Sequence, residues 1–383
     1  MNSINRSMTY PSIAVALAIG CFVVLPNAPA VNPPPDGGYP GGNTAEGQQA
    51  LFDLSTGTFN TAIGWLSLAT VATGELNTAV GAAALLVNTA NGNTAIGTGA
   101  LLNNTIGFGN TANGTFALVN NITGTNNTAV GREALSSLTN GNSNTAIGRD
   151  ALLNNNIGSN NVAVGRDALL SSTSGESNVA VGRGALANST ISDSNLALGI
   201  DAGNQIVTAS NVICIGHTGA DVSDTTWIGN VFGVTTQSGT TAPVIVSNNG
   251  QLGTVASSER FKKDIVSMQK TSDAILALRP VTFHYKTDTG NTPQFGLIAE
   301  EVAKVNPSLV LADKDGKAYT VRYDAINAML LNEFLKEHKT VQEQGAMIMR
   351  QQKAIEALTS GLQKVSAQLE LNKAASQTAL NDN

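Results

Sequence analysis

The sequence predicts a mainly β protein in which a parallel β-roll, or solenoid, of 17-residue repeats is followed by a β stalk. A small α+β module then ends in a trimeric coiled coil. Three observations predict this architecture. One glycine-centred pattern recurs at nearly constant spacing, only 13% of residues are charged against a usual value of about 25%, and every lysine lies at or after Lys262. The abrupt change in charge marks a boundary between two kinds of domain.

The repeat follows the pattern Asn-Thr-Ala-Ile/Val-Gly-x-x-Ala-Leu from Asn60 onward. Seventeen residues cannot hold two helices with their turns, so the period indicates stacked β coils. We expect two short strands in each coil, the first at Asn-Thr-Ala-Ile-Gly and the second beginning at Ala-Leu. The glycine should start a turn that needs positive φ. Its positions are spaced by 17 residues, with one spacing of 16: Gly64, Gly81, Gly97, Gly114, Gly131, Gly148, Gly165, Gly182, Gly199 and Gly216.

The columns of the repeat predict which side chains are buried. Residues two apart in a strand share a face, so the Thr column and the Ile/Val column belong together. The Thr column changes to Val162, Val179 and Leu196, which favours an inward direction for both columns. The Leu column, which includes Leu135, is either core or a subunit interface. The Val and Leu replacements disfavour ice binding by a regular hydroxyl row.

A charged column is expected to face outward. Arg132, Arg149, Arg166 and Arg183 stack one period apart, and acidic residues follow the first three as Glu133, Asp150 and Asp167. Alternating charge of this kind is typical of a solvated ladder, which contributes little stability per pair. A receptor-binding stripe is the alternative.

The N-terminus predicts a secretory signal peptide at residues 1–30. Arg6 precedes the apolar run Ile13–Leu25, and Ala28-Pro29-Ala30 matches a small-x-small cleavage site. The run is shorter than a membrane span, so we expect a secreted or cell-surface protein with no membrane span after signal removal. A lipid anchor on Cys21 is the alternative.

The remaining boundaries follow from composition and periodicity. After signal removal the single cysteine is Cys214, which we interpret as buried filler in a repeat strand. The predicted domains are an extended leader at 31–57, the β-roll at 58–218, a β stalk at 219–256, a C-terminal module at 257–325, a coiled-coil helix at 326–372 and a disordered tail at 373–383.

The final helix predicts a coiled coil because apolar residues recur every seven positions. Polar residues at several d positions, such as Gln344 and Gln351, favour a trimer over a dry dimer. A surface amphipathic helix is the alternative. The a positions are Phe334, Val341, Ile348, Ile355, Leu362 and Leu369.

Two stretches of the β-roll carry a resemblance to a known family. Asn127-Thr128-Ala129-Val130-Gly131 and Asn161-Val162-Ala163-Val164-Gly165 resemble the left-handed β-roll heads of trimeric autotransporter adhesins. The resemblance covers about residues 58–216. It implies a homotrimer with a passive surface-binding role, and it leaves the surface ligand, a glycan or a protein, unidentified.

A second resemblance is carried by five stretches after the β stalk. They are Ser257-Ser258-x-Arg260-Phe261-Lys262 with Asp264-Ile265, Leu278-Arg279-Pro280-Val281-x-Phe283-x-Tyr285, Gly296-Leu297-Ile298-Ala299-Glu300-Glu301-Val302, Pro307-x-Leu309-Val310 and Val321-x-Tyr323. These stretches resemble the intramolecular chaperone and auto-processing peptidase domain of phage endosialidases and tail spikes. In that family the domain assists trimer folding, and a serine/lysine dyad then cuts the chain before the serine. The resemblance implies Ser257 as nucleophile, Lys262 as base and cleavage between Ala256 and Ser257.

Two alternatives stay open at this site. Ser258 and Lys263 are also five residues apart and form a shifted pair, although Arg260-Phe261-Lys262 favours the first register. The module could also trimerise without cutting. A serine hydroxyl becomes a good nucleophile only when a base takes its proton, and a lysine can do so where burial lowers its pKa.

The predicted function is that of an adhesin-like, secreted trimeric fibre precursor with a self-removing chaperone. The net charge of −6 offers no basic footprint for nucleic acid, and no cofactor is expected. His217, His284 and His338 are far apart in sequence, so no metal site is predicted. A phage or prophage tail fibre and a polysaccharide-degrading enzyme are the alternatives; the apolar run Ile13–Leu25 disfavours the former.

Overall fold

The computed structural model describes residues 39–381. They form two compact units that divide between Gly239 and Thr240. The predicted signal peptide, Cys21 and the first part of the leader lie outside the described residues. Within residues 39–381, no helix is both long enough and apolar enough to cross a membrane.

The first unit is a parallel β-solenoid of about 11 turns with 17-residue repeats, which confirms the predicted fold class. Twelve short strands form one sheet in sequence order, each pairing with the next in register, as in Thr61 with Thr78. The strands are β1 Thr44–Glu46, β2 Thr61–Ile63, β3 Thr78–Val80, β4 Thr94–Ile96, β5 Thr111–Asn113, β6 Thr128–Val130, β7 Thr145–Ile147, β8 Val162–Val164, β9 Val179–Val181, β10 Leu196–Leu198, β11 Ile213–Ile215 and β12 Thr226–Ile228.

The solenoid begins before the predicted boundary at residue 58. Asn43-Thr44-Ala45-Glu46-Gly47 has the repeat pattern with Glu46 in place of the usual Ile or Val, and β1 pairs with β2. Glu46 is exposed. A carboxylate fits there because the position faces outward, so residues 44–46 belong to the solenoid rather than to an extended leader. At the other end, β12 adds a strand inside the predicted stalk.

The strand faces are the reverse of the expected arrangement. The central Ala of each strand, such as Ala129 or Ala146, is fully buried, while the Thr and Ile/Val columns face outward. The inward direction predicted for those two columns is therefore wrong. With one inward residue in each three-residue strand, the middle side chain must be small enough to fit the narrow coil. Cys214 takes the place of this alanine and is fully buried, as predicted, and burial raises the pKa of its thiol.

The Ala-Leu pair does not begin a second strand. Leu135 has a φ of 53° and lies in a turn, yet its N–H still bonds Ala151 O of the next coil at 3.0 Å. Left-handed backbone interrupts the two-residue alternation that a strand needs. The leucine side chains are fully buried, so this column is core rather than a subunit interface.

The repeat glycine is required where each strand ends. Gly131 has a φ of 132°, and a Cβ atom there would lie 2.5 Å from Gly148 O in the next coil. Both the backbone conformation and the close stacking of coils exclude a side chain. The predicted turn role of the glycine is therefore confirmed.

The repeat asparagine forms a buried ladder along the solenoid. Asn144 Oδ1 accepts the backbone N–H of Asn161 at 3.0 Å, and Asn144 Nδ2 donates to Gly158 O at 2.8 Å. These side chains are fully buried, so the bonds satisfy polar groups that would otherwise be costly. The ladder links adjacent coils and explains why asparagine recurs one residue before each strand.

The C-terminal end of the repeats is covered by a carboxylate cap. Asp221 accepts backbone N–H bonds from Val207, Thr208 and Ala209 at 2.9, 2.9 and 2.7 Å. These bonds lower the pKa of Asp221 to about 2. The carboxylate takes the place of a backbone carbonyl of the next coil, the kind of acceptor that Val207 O is for Thr190 N–H.

The second unit contains small antiparallel sheets and helices. A turn at Asn248-Asn249-Gly250 joins two short antiparallel strands. The strands are β13 Ile245–Val246, β14 Leu252–Gly253, β15 Val281–Phe283, β16 Gln294–Gly296, β17 Val310–Ala312 and β18 Ala318–Val321. The α-helices are α1 Ala299–Val305 and α2 Tyr323–Asn381, and the 3₁₀ helices are Pro40–Gly42 in the first unit and Glu259–Phe261, Gln269–Ala277 and Pro307–Leu309 in the second.

One small core joins these elements. Ile275 of the 3₁₀ helix, Val302 of α1 and Leu309 pack with Ile326 and Met329 at the start of α2. The start of the long helix is therefore anchored in the module.

Beyond this anchor, the apolar heptad positions of α2 are exposed, including Ile348 and Leu362. Gly345 and Gly361 do not interrupt the helix, which extends to Asn381 where a disordered tail was expected from residue 373. Both glycines have helical neighbours with strong helix propensity, which outweighs their cost of about 1 kcal/mol each.

Candidate functional site

A tight turn brings Ser257 and Lys262 together. Phe261 N–H donates to Ser258 O at 3.1 Å and Lys262 N–H donates to Glu259 O at 2.9 Å, which closes the 3₁₀ helix Glu259–Phe261. Lys262 Nζ then lies 3.2 Å from Ser257 Oγ. The spacing of five residues in the sequence thus becomes a hydrogen-bond contact between the two predicted dyad residues.

The pair is open to solvent in the single chain. Ala256, Ser257 and Lys262 are all exposed. Within residues 39–381, Lys262 has no carboxylate within ion-pair distance, and its one side-chain hydrogen bond is with Ser257.

The neighbouring pair does not make this contact. Among the described residues, no hydrogen bond joins Ser258 Oγ to Lys263 Nζ, and both residues are exposed. Ser258 precedes the 3₁₀ helix without capping it through its side chain. The geometry therefore favours the first register over the shifted one.

A second serine and lysine also meet in the module. Ser272 Oγ lies 3.3 Å from Lys336 Nζ and 2.6 Å from Asn332 Nδ2, and it donates to Glu333. Lys336 Nζ bonds Asp273 and Glu333, each at 2.6 Å. We call the set of Ser272, Asp273, Asn332, Glu333 and Lys336 the helix latch, because it joins the 3₁₀ helix Gln269–Ala277 to α2.

The helix latch pairs one ammonium with two carboxylates. Hydrogen bonds to Asp273 and Glu333 raise the pKa of Lys336, and bonds from Lys336 lower the pKa values of both carboxyls. Lys336 is therefore held as the ammonium. Ser272 lies inside the 3₁₀ helix, and its hydroxyl is buried where it bonds Glu333 of α2. No local pattern in the sequence pointed to this contact, because Ser272 and Lys336 are 64 residues apart.

Two further contacts join residues of the matched motifs. Arg279 and Glu301 form a bidentate ion pair, in which Nη2 donates to Oε1 at 2.6 Å and Nε donates to Oε2 at 3.1 Å. Leu297 N–H donates to the Tyr323 hydroxyl at 3.0 Å, and a Cβ at Gly296 would lie 2.7 Å from that oxygen. The glycine of this motif therefore leaves room for the tyrosine.

The charged column of the solenoid faces outward, as predicted. Arg149 Nε lies 3.1 Å from Asp150, and Arg166 Nε lies 3.0 Å from Asp167. The arginine side chains are about half exposed. No set of three metal-ligating side chains comes together within residues 39–381. His217 stacks on Trp227 with ring centroids 5.3 Å apart.

The fold defines a parallel β-solenoid that is followed in the chain by an α+β module with a long C-terminal helix. Residues 257–311 match the model of the peptidase family described as chaperone of endosialidase. The match confirms the predicted resemblance of the module and begins at Ser257. Comparisons with curated proteins and with solved structures found no match.

Proposed function

We propose that the chain is the precursor of a secreted, trimeric surface fibre whose C-terminal module assists assembly and then cuts itself off between Ala256 and Ser257. The observation that carries the cleavage is the 3.2 Å contact between Lys262 Nζ and Ser257 Oγ. It lies at the first residues of the segment that matches the chaperone family.

The cleavage reaction uses these two side chains. Neutral Lys262 takes the proton from Ser257 Oγ, and the oxygen attacks the carbonyl carbon of Ala256. The C–N bond breaks, Lys262 returns the proton to the Ser257 nitrogen, and Ala256 is held as an ester on Ser257. Water then hydrolyses the ester to give the Ala256 carboxylate and free Ser257. Direct attack by a water that Lys262 activates would give the same two products.

The trimer is supported by the exposed seam on α2. Phe334, Val341, Ile348, Ile355 and Leu362 repeat every seven residues and are all exposed in the single chain. Such a seam stabilises a helix only when other helices cover it. Three chains joined at this seam bury it and place three solenoids in a common register.

An assembly module would prevent coils of a repetitive β sequence from pairing in the wrong register. Identical coils offer many slipped pairings of similar energy, because neighbouring repeats present nearly the same side chains. A coiled coil with a fixed start removes that ambiguity, and it is dispensable once the fibre has formed. The remaining fibre, residues 31–256, would act as an adhesin-like surface protein that binds a glycan or a protein.

Intact mass of the expressed chain from residue 31 tests the cleavage. We expect a fragment that begins at Ser257, and we expect it to be absent in Ser257→Ala and in Lys262→Ala. Ser272→Ala is the matched control, since it removes a serine that also contacts a lysine, and it should be cleaved normally. Cleavage that persists in Ser257→Ala would refute the assignment of the nucleophile.

A further inference from the structure

Every arginine of the proposed fibre lies in one row. Residues 31–256 contain no lysine, and their arginines are Arg132, Arg149, Arg166 and Arg183. These residues occupy the same position on four successive coils, directly after the turn glycine that follows β6, β7, β8 and β9. Adjacent coils are about 4.8 Å apart, so three coil steps make a row about 14 Å long. We call these four side chains the arginine row.

The arginine row lies outside the carboxylates that pair with it. The arginine side chains are 49–52% exposed, whereas those of Glu133, Asp150 and Asp167 are 9, 13 and 27% exposed. Arg149 and Arg166 reach their aspartates through Nε, at 3.1 and 3.0 Å. Nε is the guanidinium nitrogen nearest the backbone, so the two Nη groups extend beyond the ion pair. The surface that the ladder offers to a partner is therefore cationic.

The carboxylates also hold the row in place. Arg132 Nη1 donates to Glu133 Oε1 at 2.6 Å, and its Nη2 lies 3.6 Å from Asp150 Oδ1 on the next coil. Arg183 Nη2 donates to Asp201 on the next coil at 3.5 Å. A guanidinium group that is already tethered loses less side-chain entropy when it binds a ligand than a free arginine does. The row is therefore partly preorganised for an anionic partner.

The chemistry and spacing of the arginine row fit an acidic glycan. A guanidinium group binds a carboxylate through a planar fork of N–H donors. The coil step of about 4.8 Å is close to the length of one sugar ring in an extended chain, so a linear glycan with one carboxylate on each sugar matches the period of the row. The phosphates of a DNA strand advance about 3.4 Å along the duplex axis and would drift out of register with the coils.

The coil before the row offers an aromatic ring. Phe116 is 38% exposed and follows Thr115, whose carbonyl accepts the Glu133 N–H of the first coil of the row at 3.0 Å. A Cβ at Gly99 would lie 2.6 Å from the Phe116 ring, so the ring covers that glycine. An aromatic ring provides a large apolar area, against which the CH face of a sugar can stack. A glycan thus carries a partner for both kinds of side chain.

We propose that the arginine row is a binding site for the carboxylates of a linear acidic polysaccharide. The proposal rests on the surface-fibre role proposed above and names the chemical class of its ligand. Each contact is at the surface and screened by salt, so the affinity of one row should fall as ionic strength rises. Three rows in a trimeric fibre would add avidity on a long polysaccharide.

Binding of polygalacturonate to the intact Ser257→Ala precursor tests the site. Fluorescently labelled polygalacturonate is the probe, its methyl ester supplies the same backbone without charge, and a single-stranded DNA oligonucleotide supplies phosphates. A variant with Arg149→Gln, Asp150→Asn, Arg166→Gln and Asp167→Asn removes the two central ion pairs without changing the net charge. Asp150 and Asp167 have φ values of 60° and 61°, which asparagine also adopts, so the coils should stay folded.

We expect the precursor to bind polygalacturonate, and we expect the variant with four substitutions to bind it roughly tenfold more weakly or less, a loss of about 1.4 kcal/mol. The methyl ester and the oligonucleotide should bind the unchanged precursor more weakly than polygalacturonate by a similar factor. Glu176→Gln is the control, because Glu176 is an exposed residue of the β8 coil outside the row. Its effect on affinity should stay within about twofold.

Equal binding of polygalacturonate by the variant with four substitutions, or of its methyl ester by the unchanged precursor, would overturn the site. An oligonucleotide bound more tightly than polygalacturonate would overturn the glycan assignment. Sedimentation of the same samples keeps this result separate from the proposed function. A trimer that binds no polygalacturonate would overturn the ligand and leave the fibre standing, whereas a monomer that binds it through the row would overturn the trimer alone.

Discussion

The module contains two serine–lysine contacts of nearly equal length, and their surroundings are opposite. Ser257 Oγ and Lys262 Nζ are 3.2 Å apart on an exposed turn, and Ser272 Oγ and Lys336 Nζ are 3.3 Å apart beside α2. In the second pair the serine is fully buried and the lysine bonds two carboxylates. Within the described residues, the first pair has no carboxylate partner.

The difference teaches that distance alone does not define a dyad. Lys336 is held charged by Asp273 and Glu333, which raise its pKa, so it cannot take a proton from Ser272. The Ser272 hydroxyl also donates a hydrogen bond to Glu333. Among the described residues, Lys262 has no carboxylate partner, and Ser257 donates no hydrogen bond to a carboxylate.

Replacing each lysine by methionine should separate the two pairs most strongly. Lys262→Met removes the base and keeps the length of the side chain, so we expect self-cleavage to fall at least a hundredfold, in keeping with the usual contribution of general base catalysis. Lys336→Met leaves the proposed catalytic pair intact, and cleavage should proceed. The measurement is the fraction of Ser257-initiated fragment against time.

The same variants carry an internal check. Lys336→Met should lower the melting temperature of the precursor, because Asp273 and Glu333 lose their shared cation, while Lys262→Met should leave it nearly unchanged. If Lys336→Met abolished cleavage with the module still folded by circular dichroism, the role assigned to the helix latch would be wrong.

The second prediction concerns the buried hydroxyl of the helix latch. Ser272→Ala removes the partner of Glu333 and Asn332, and a lost hydrogen bond among partly buried groups costs about 1 to 2 kcal/mol. Chemical denaturation of the Ser257→Ala precursor measures the loss. Thr271→Ala is the matched control: Thr271 is exposed, so its effect should stay within about 0.5 kcal/mol.

The repeat period predicted the solenoid correctly but did not predict which face of each strand points outward. The spacing of glycine and asparagine indicated how many coils stack, because each coil needs the glycine in its turn and the asparagine in its ladder. The direction of Thr61 and Ile63 was predicted wrongly. A replacement of Thr by Val indicates burial without saying whether the same chain or another chain supplies it, and a three-residue strand has too few positions to decide.

The module shows a similar limit. Ser257 and Lys262 were found because they lie five residues apart in a recognisable motif. Ser272 and Lys336 are separated by 64 residues, and their contact depends on how α2 packs on the 3₁₀ helix. Local patterns contain no information about such a contact.

The third prediction uses pH to dissect the helix latch. Asp273 and Glu333 have lowered pKa values, so their contribution to stability is present above the ordinary carboxyl pKa of about 4 and is lost as pH falls through and below it. Lys336 has a raised pKa, so its contribution is present below about 10.4 and is lost as pH rises beyond it.

The gap in melting temperature between the Ser257→Ala precursor and the same chain with Lys336→Met should therefore be widest between about pH 5 and 9 and narrow at both ends. The groups are partly exposed, so the gap should also shrink in high salt. Carboxylates elsewhere are common to both chains and cancel. A gap as large at pH 2.5 as at pH 7 would contradict the ionic account.

The smallest expected effect tests the register of the dyad. Ser258→Ala and Lys263→Ala change the shifted pair, whose side chains make no contact in the structure, so cleavage should keep its rate within about a factor of three, which corresponds to roughly 0.6 kcal/mol. The fragment should still begin at Ser257. A new start at residue 258, or loss of cleavage in Lys263→Ala alone, would move the base to Lys263. That result would also mean that the turn Glu259–Phe261 rearranges before the bond is cut, since in its present form it directs Lys262 to Ser257.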